Sequence, residues 1–193
     1  MTKRAPNLKD ILFRRKIIAL SSSTGASGTV PCTPPETVKR GAKCQCCALV
    51  SGVDSITNNN IAVKTCGGNC KSFNIVYAAQ CAVCVSNNTY FGKSVQALHE
   101  RVNNHRSSFY DILRKSGKIN FNIENLEIDD ENILGAHIFR NHKMVKKSDF
   151  NNCFTFNVKS IVNPDKLRFT EQLYIDKLNT LIHFGLNQIN SVG

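Results

Sequence analysis

The stretch FNIVYAAQCAVCVSNNTYFGKS, residues 73–94, decides the fold. Asn74-Ile75-Val76-Tyr77 opens a run of β-branched, aromatic and small residues that predicts a strand over 74–80. Thr89-Tyr90-Phe91 predicts its partner over 89–92, and Ser86-Asn87-Asn88 lies in the loop between them. Downstream, Phe154, Phe156 and Val158 alternate as a third strand over 153–159. The segments between read as helices. Ser94 is placed as an N-cap, with Val95, Leu98 and Val102 following at helical spacing. A second helix is expected from about Ser108 to Ser116, stopped by Gly117, and a short one around Asn132 to Arg140. Asn163-Pro164, a cap followed by proline at the first helical position, starts a last helix that runs to about Ile182, before Gly185. The five carboxylates between Glu124 and Glu131 read as a solvated loop.

Upstream the composition changes. Residues 1–30 are a basic segment ending in the linker SSSTGASGTV, residues 21–30. Residues 31–72 carry Cys32, Cys44, Cys46, Cys47, Cys66 and Cys70 with few large apolar residues, so this extension needs a metal or neighbouring packing to fold. In all, 193 residues with a 41% hydrophobic fraction can bury one core and a small appendage, and the formal charge of +11 favours polyanionic partners. No stretch approaches the ~20 apolar residues of a membrane span, so no membrane partner is expected. Arg14-Arg15-Lys16 splits the N-terminal aliphatics and leaves a poor signal-peptide core. The first 28 residues, basic, serine-rich and poor in acids, also suit a mitochondrial leader. Nine cysteines without a secretory signal point to metal ligation rather than disulfides.

Three constellations carry chemistry. In the last helix Leu167, Tyr174 and Leu178 form an apolar stripe, and Glu171 falls on it; a buried carboxylate is costly unless paired or metal-bound, while a partly exposed one needs no explanation. Arg101 and His105 lie four apart and project from one helix face, flanking the apolar stripe. They fit a phosphate-clamping and proton-moving pair or a solvated one. Cys81-x2-Cys84 has the knuckle spacing of tetrahedral zinc and His137-x4-His142 the spacing of a zinc histidine pair, together a Cys2His2 set. Cys44-x2-Cys47 is a second knuckle, with Cys32 and Cys70 as completing thiolates and Cys46 or Cys66 as substitutes. Reduced structural cysteines are the alternative for both sets.

Taken in order, Ile75-Val76-Tyr77, Tyr90-Phe91-Gly92, Arg101-x3-His105, Glu171 and Asn187 resemble the signature of GIY-YIG nucleases. The CxxC between the two tyrosine motifs, the run RAPNLKDIL from Arg4 to Leu12, Cys70-x-Ser72-x-Asn74-Ile75-Val76-Tyr77, and Arg168-x2-Glu171 through Gly185-Leu186-Asn187 resemble the version found in Penelope-like retroelement proteins. The chain departs from the family at Ile75, Phe91, Lys93-Ser94 and Phe184.

The resemblance implies a mixed α/β (α+β) nuclease fold over residues 73–193, a three-stranded antiparallel sheet flanked by helices. It implies nicking of DNA by phosphodiester hydrolysis. Glu171 would hold catalytic Mg2+ or Mn2+, and Tyr77 would serve as general base. Tyr90 would position water or phosphate, and Arg101 would clamp the scissile phosphate. His105 would assist proton transfer, and Asn187 would hydrogen-bond nearby. The Zn2+ would be structural. DNA is the expected partner, element RNA another through a reverse-transcriptase region absent from this chain, which would then be a fragment, a decayed copy or a stand-alone frame. A nuclear location follows, with the mitochondrion as alternative. The rival reading is a catalytically inactive, zinc-stabilised nucleic-acid-binding fragment.

Overall fold

The computed structural model describes residues 44–50, 55–58, 61–84, 88–117, 122, 126, 128–178 and 186–187. The basic segment 1–30, Cys32, and the expected end of the last helix near Ile182 and Gly185 lie outside them. A two-stranded hairpin, β1 (Ser55–Asn58) with β2 (Ile61–Lys64), precedes the main sheet. That sheet is antiparallel, in the order β4-β3-β5, with β3 (Ile75–Cys81) at its centre, β4 (Thr89–Ser94) on one side and β5 (Phe154–Ile161) on the other. Flanking helices make the domain mixed α+β.

Alternation along β3 builds two cores. Ile75, Tyr77, Ala79 and Cys81 enter one, while Val76 and Ala78 enter the other, as the period-2 geometry of a strand requires. On the first face lie α1 (Leu98–Ser116), α2 (Ile133–His137) and α3 (Asp149–Cys153). On the second lies α4 (Leu167–Leu178), entered from a 3-10 turn at Pro164–Lys166; Tyr174 stacks on Phe91 with centroids 5.4 Å apart. The sheet is therefore buried on both faces.

Its edges are covered as well. Phe156 N–H donates to Leu49 O (2.7 Å) and Cys66 N–H to Val158 O (3.1 Å) along β5. Asn187 clamps the Phe91 main chain on β4, accepting from Phe91 N–H at 2.8 Å and donating to Phe91 O at 2.6 Å. Neither edge is left open for pairing with another chain over these residues. Val76 and Tyr77 pair with Ser160 and Val158, so Lys159 is the extra residue of a bulge opposite Tyr77.

Two expectations are corrected. Ser94 does not cap a helix; it is the last residue of β4, paired with Ile75, and Val95 is exposed. The helices expected around Val102 and Ser108 are one helix of 19 residues. Asn103-Asn104 and Ser107-Ser108 are weak helix formers. The stripe Leu98, Val102, His105, Phe109, Ile112 runs straight through them and its burial prevails. The first N–H groups of α1 are capped from outside the helix: Leu98 N–H donates to Ser72 O (3.0 Å) and His99 N–H to Cys70 O (2.8 Å).

Gly135 sets how closely α2 approaches α1. A Cβ there would stand 2.9 Å from Phe109 Cα and 3.1 Å from Phe109 Cβ. Alanine gains up to about 1 kcal/mol over glycine in helix propensity, but overpacking against a helix backbone costs about 1–3 kcal/mol. Gly135→Ala is therefore expected to be destabilising by ~1–2 kcal/mol, read as a lower urea midpoint. A midpoint at or above that of the natural protein would mean that the two helices part freely.

Candidate active site and metal centre

A buried phenol must find partners, and the sequence supplies them to Tyr77 from α1. Arg101 Nε–H donates to the Tyr77 hydroxyl oxygen at 3.2 Å. The Tyr77 hydroxyl lies 2.7 Å from His105 Nε2. His105 Nδ1 lies 3.0 Å from Glu131 O, a carbonyl that can only accept, so Nδ1 carries the proton and Nε2 is the bare acceptor for Tyr77 O–H. The result is a one-directional relay, Arg101 to Tyr77 to His105 to Glu131 O. Tyr90 closes it from β4, its ring 6.2 Å from Tyr77 and 5.9 Å from His105 between centroids.

Gly92 makes room for this. A Cβ on Gly92 would meet the Tyr77 hydroxyl oxygen at 2.6 Å and Tyr90 Cε1 at 2.7 Å. The short loop before α2 is held just as firmly. Asp129 Oδ1 accepts from Glu131 N–H and Asn132 N–H, and Asn132 Oδ1 accepts from Asp129 N–H. This fixes Glu131 O on His105 and Asp130 O on Arg101, at 3.0 and 3.1 Å. The part of the acidic run expected to be merely solvated thus works through its carbonyls.

The electrostatics follow from burial. Burial pushes Tyr77 up to about 12, against the pull of Arg101, and Tyr90 well above its ordinary value. Burial, then Arg101, pushes His105 down to about 3. Glu171, 6% exposed on α4, is raised by burial and held back by Lys93, whose Nζ is 2.5 Å from Oε2. The Glu171 charge in turn raises both tyrosines. Lys93, on the residue after Gly92, was missed in the sequence; its signal was an alternation that puts it two residues from Phe91, on the α4 side of β4. Asn187 touches the Phe91 main chain, so it positions the strand that carries Tyr90. The groove of about 640 Å³ between Tyr110, Arg114, Val145 and Lys147 is elsewhere on α1 and touches none of these residues.

The Cys2His2 set comes together. The ligand atoms of Cys81, Cys84, His137 and His142 all lie within 4.8 Å of one another. Cys81 Sγ is 3.2 Å from His142 Nε2, Cys84 Sγ is 3.3 Å from each histidine Nε2, and the two Nε2 atoms are 3.2 Å apart. Bond lengths of about 2.0–2.3 Å to a tetrahedral zinc require edges of about 3.3–3.8 Å, so these four residues can hold such an ion. The backbone explains the pairing. At about 100° per residue an α-helix would splay side chains five apart, but Ile138–His142 is wound as a π turn, which returns His142 to the side of His137. Asn141 Nδ2 lies 2.8 Å from His137 Nδ1 and fixes the ring through its other nitrogen. Of the second set, Cys44, Cys47 and Cys70 also cluster, while Cys32 lies outside the described residues. The eight described cysteines form no disulfide among themselves.

No family model matches the chain, and neither a curated protein nor a solved structure matches it significantly. Among the described residues no helix is long and apolar enough to cross a membrane.

Two outcomes are expected. Cys84→Ser should lose one equivalent of zinc and several kcal/mol of stability, read by elemental analysis and thermal unfolding; an unchanged metal content would remove the site. Acid titration should also bear on His105. Its folded pKa of about 3 lies below the unfolded value of 6.5, so the unfolded chain binds the extra proton and stability is lost as pH falls from 6.5 towards 3. The slope is at most about 1.4 kcal/mol per pH unit. His105→Gln should flatten that slope in denaturation series at several pH values; an unaltered slope would show that His105 titrates normally.

Proposed function

We propose that this chain is a metal-dependent endonuclease of the GIY-YIG type that nicks DNA, similar to the nuclease of Penelope-like retroelements. The observation that carries the reading is the relay Arg101–Tyr77–His105–Glu131 O on the α1 face of the sheet, whose Tyr77 still feels the charge of the Glu171 carboxylate on the α4 face. Ordinary cores do not gather two buried phenols, a buried neutral imidazole and a half-buried guanidinium on one face of a sheet with a buried carboxylate on the other, because each costs free energy to desolvate. Such perturbed groups gather where chemistry is done.

The donor chemistry fits a divalent cation of the Mg2+ or Mn2+ class: hard oxygens, one carboxylate, and a half-exposed lysine able to yield its place. Glu171 would hold the ion, which when bound supplies Lewis acidity to the phosphate oxygens. The other steps belong to the chain's own groups. Arg101 stabilises the charge that develops on the phosphate. Tyr77 takes the proton of the attacking water as its own hydroxyl proton passes to His105 Nε2, so a free phenolate never has to form. Burial and Arg101 hold His105 poorly basic at rest; a phosphodiester anion against Arg101 cancels the second of these and raises the basicity of the imidazole when substrate is bound. Tyr90 walls the site from β4. The zinc at Cys81, Cys84, His137 and His142 is structural in this reading, since four protein ligands leave no open position. The net charge of +11 favours DNA on electrostatic grounds.

One observation favours the rival reading, an inactive nucleic-acid-binding module: Lys93 already neutralises Glu171. Plasmid nicking separates the two. The purified chain is expected to convert supercoiled to open-circular DNA with Mg2+ or Mn2+ and not with chelator. Glu171→Gln should retain the fold and DNA binding while nicking falls ~10³-fold or more. Glu171→Gln nicking at the natural rate would overturn the assignment, and salt-sensitive DNA binding without any nicking by the natural chain would establish the rival.

A further inference from the structure

A second cluster of soft ligands lies away from the tyrosines, at the other end of β3. The sulfurs of Cys44, Cys47 and Cys70 all lie within 4.8 Å of one another, Cys47 Sγ 3.3 Å and Cys44 Sγ 3.9 Å from Cys70 Sγ. Those separations bracket the edge of about 3.8 Å expected between thiolates on a tetrahedral zinc. Cys44 and Cys47 reach it from a tight turn, closed by Cys47 N–H on Cys44 O at 3.2 Å. Neutral thiols bond one another weakly and thiolates repel, so three sulfurs at this spacing are reconciled by a cation that prefers soft ligands. The neighbouring cysteines point elsewhere: Cys46 packs in the core and Cys66 Sγ donates to Val158 O at 3.6 Å.

The cluster is wired to the helix that carries Arg101 and His105. The carbonyl of Cys70 accepts from His99 N–H at 2.8 Å and lies 3.0 Å from His99 Nδ1, while Ser72 O accepts from Leu98 N–H. Ala97, the residue at the cap position, has no side chain with which to do this. The first turn of α1 therefore hangs on the backbone of 70–72, and that backbone hangs on Cys70.

We propose that Cys44, Cys47 and Cys70 bind a second zinc ion, and that this ion holds the 70–72 loop as the external cap of α1, fixing the height at which Arg101 and His105 meet Tyr77. Its service to catalysis rests on the nuclease reading; the ion and the cap do not. The full chain, purified reduced and without chelator, is expected to carry two zinc ions, with X-ray absorption giving more than two sulfurs per zinc on average. Cys44→Ser/Cys47→Ser should keep the zinc at Cys81 and lose the other. Hydrogen exchange at Leu98 and His99 should then quicken by ~10-fold or more, while α4 is unchanged. One zinc per natural chain, with two sulfurs and two nitrogens around it, would overturn the site whether or not the variant folds. Unaltered exchange at Leu98 and His99 in a one-zinc variant would overturn the cap. Both measurements are independent of nicking.

Discussion

The Tyr77 hydroxyl is the constraint on which the rest of the site depends. It points into a packed interior from the central strand, where an unpaired phenol would cost about 1–3 kcal/mol or more. Its partners must therefore come from other elements, and each of those must be held in turn. Arg101 and His105 come one helical turn apart from α1. His105 then needs a carbonyl on its far nitrogen, which the Asp129 turn delivers through Glu131. Gly92 is required because the phenol occupies the space that a Cβ would fill. One buried oxygen thus dictates a glycine, a helix face and a loop conformation that are far apart in the sequence.

The fold was legible where the pattern was local. The β-branched and aromatic runs at Ile75-Val76-Tyr77 and Phe154 to Val158 placed the strands within two residues of Ile75–Cys81 and Phe154–Ile161. The Cys2His2 cluster was legible because cysteine and histidine spacing reflects ligand geometry directly. The sequence predicts two helices where there is one because asparagine and serine pairs weaken local propensity, and because His105 reads as flanking the apolar stripe when it belongs to it. A histidine reads as polar until a partner that neutralises its polarity is known. The alternation along β4 gives the side on which Lys93 lies but not its partner, because it acts through an ion pair across 78 residues, and the Asp129–Asn132 turn is illegible because it acts through carbonyls that any residue type could supply.

β3 shows why a Cys2His2 cluster belongs beside a polar relay. A slip of one residue in a strand turns every side chain to the opposite face. In β3 it would carry Tyr77 from the helix α1 side to the side of α4 and bring Val76 or Ala78 under Arg101. Apolar burial resists such a slip only weakly here, because both faces of the sheet are buried and both accept small aliphatic residues. Register must be set by something with directional bonds. Cys81 is the last residue of β3 and belongs to the Cys2His2 set, and Cys70 precedes its first residue by five positions. Asn74, at φ 51°, sets the chain direction between Cys70 and Ile75 and accepts from Val162 N–H at 2.9 Å. Directional contacts at both ends of a seven-residue strand leave the residues between them, and hence the Tyr77 hydroxyl, no alternative position.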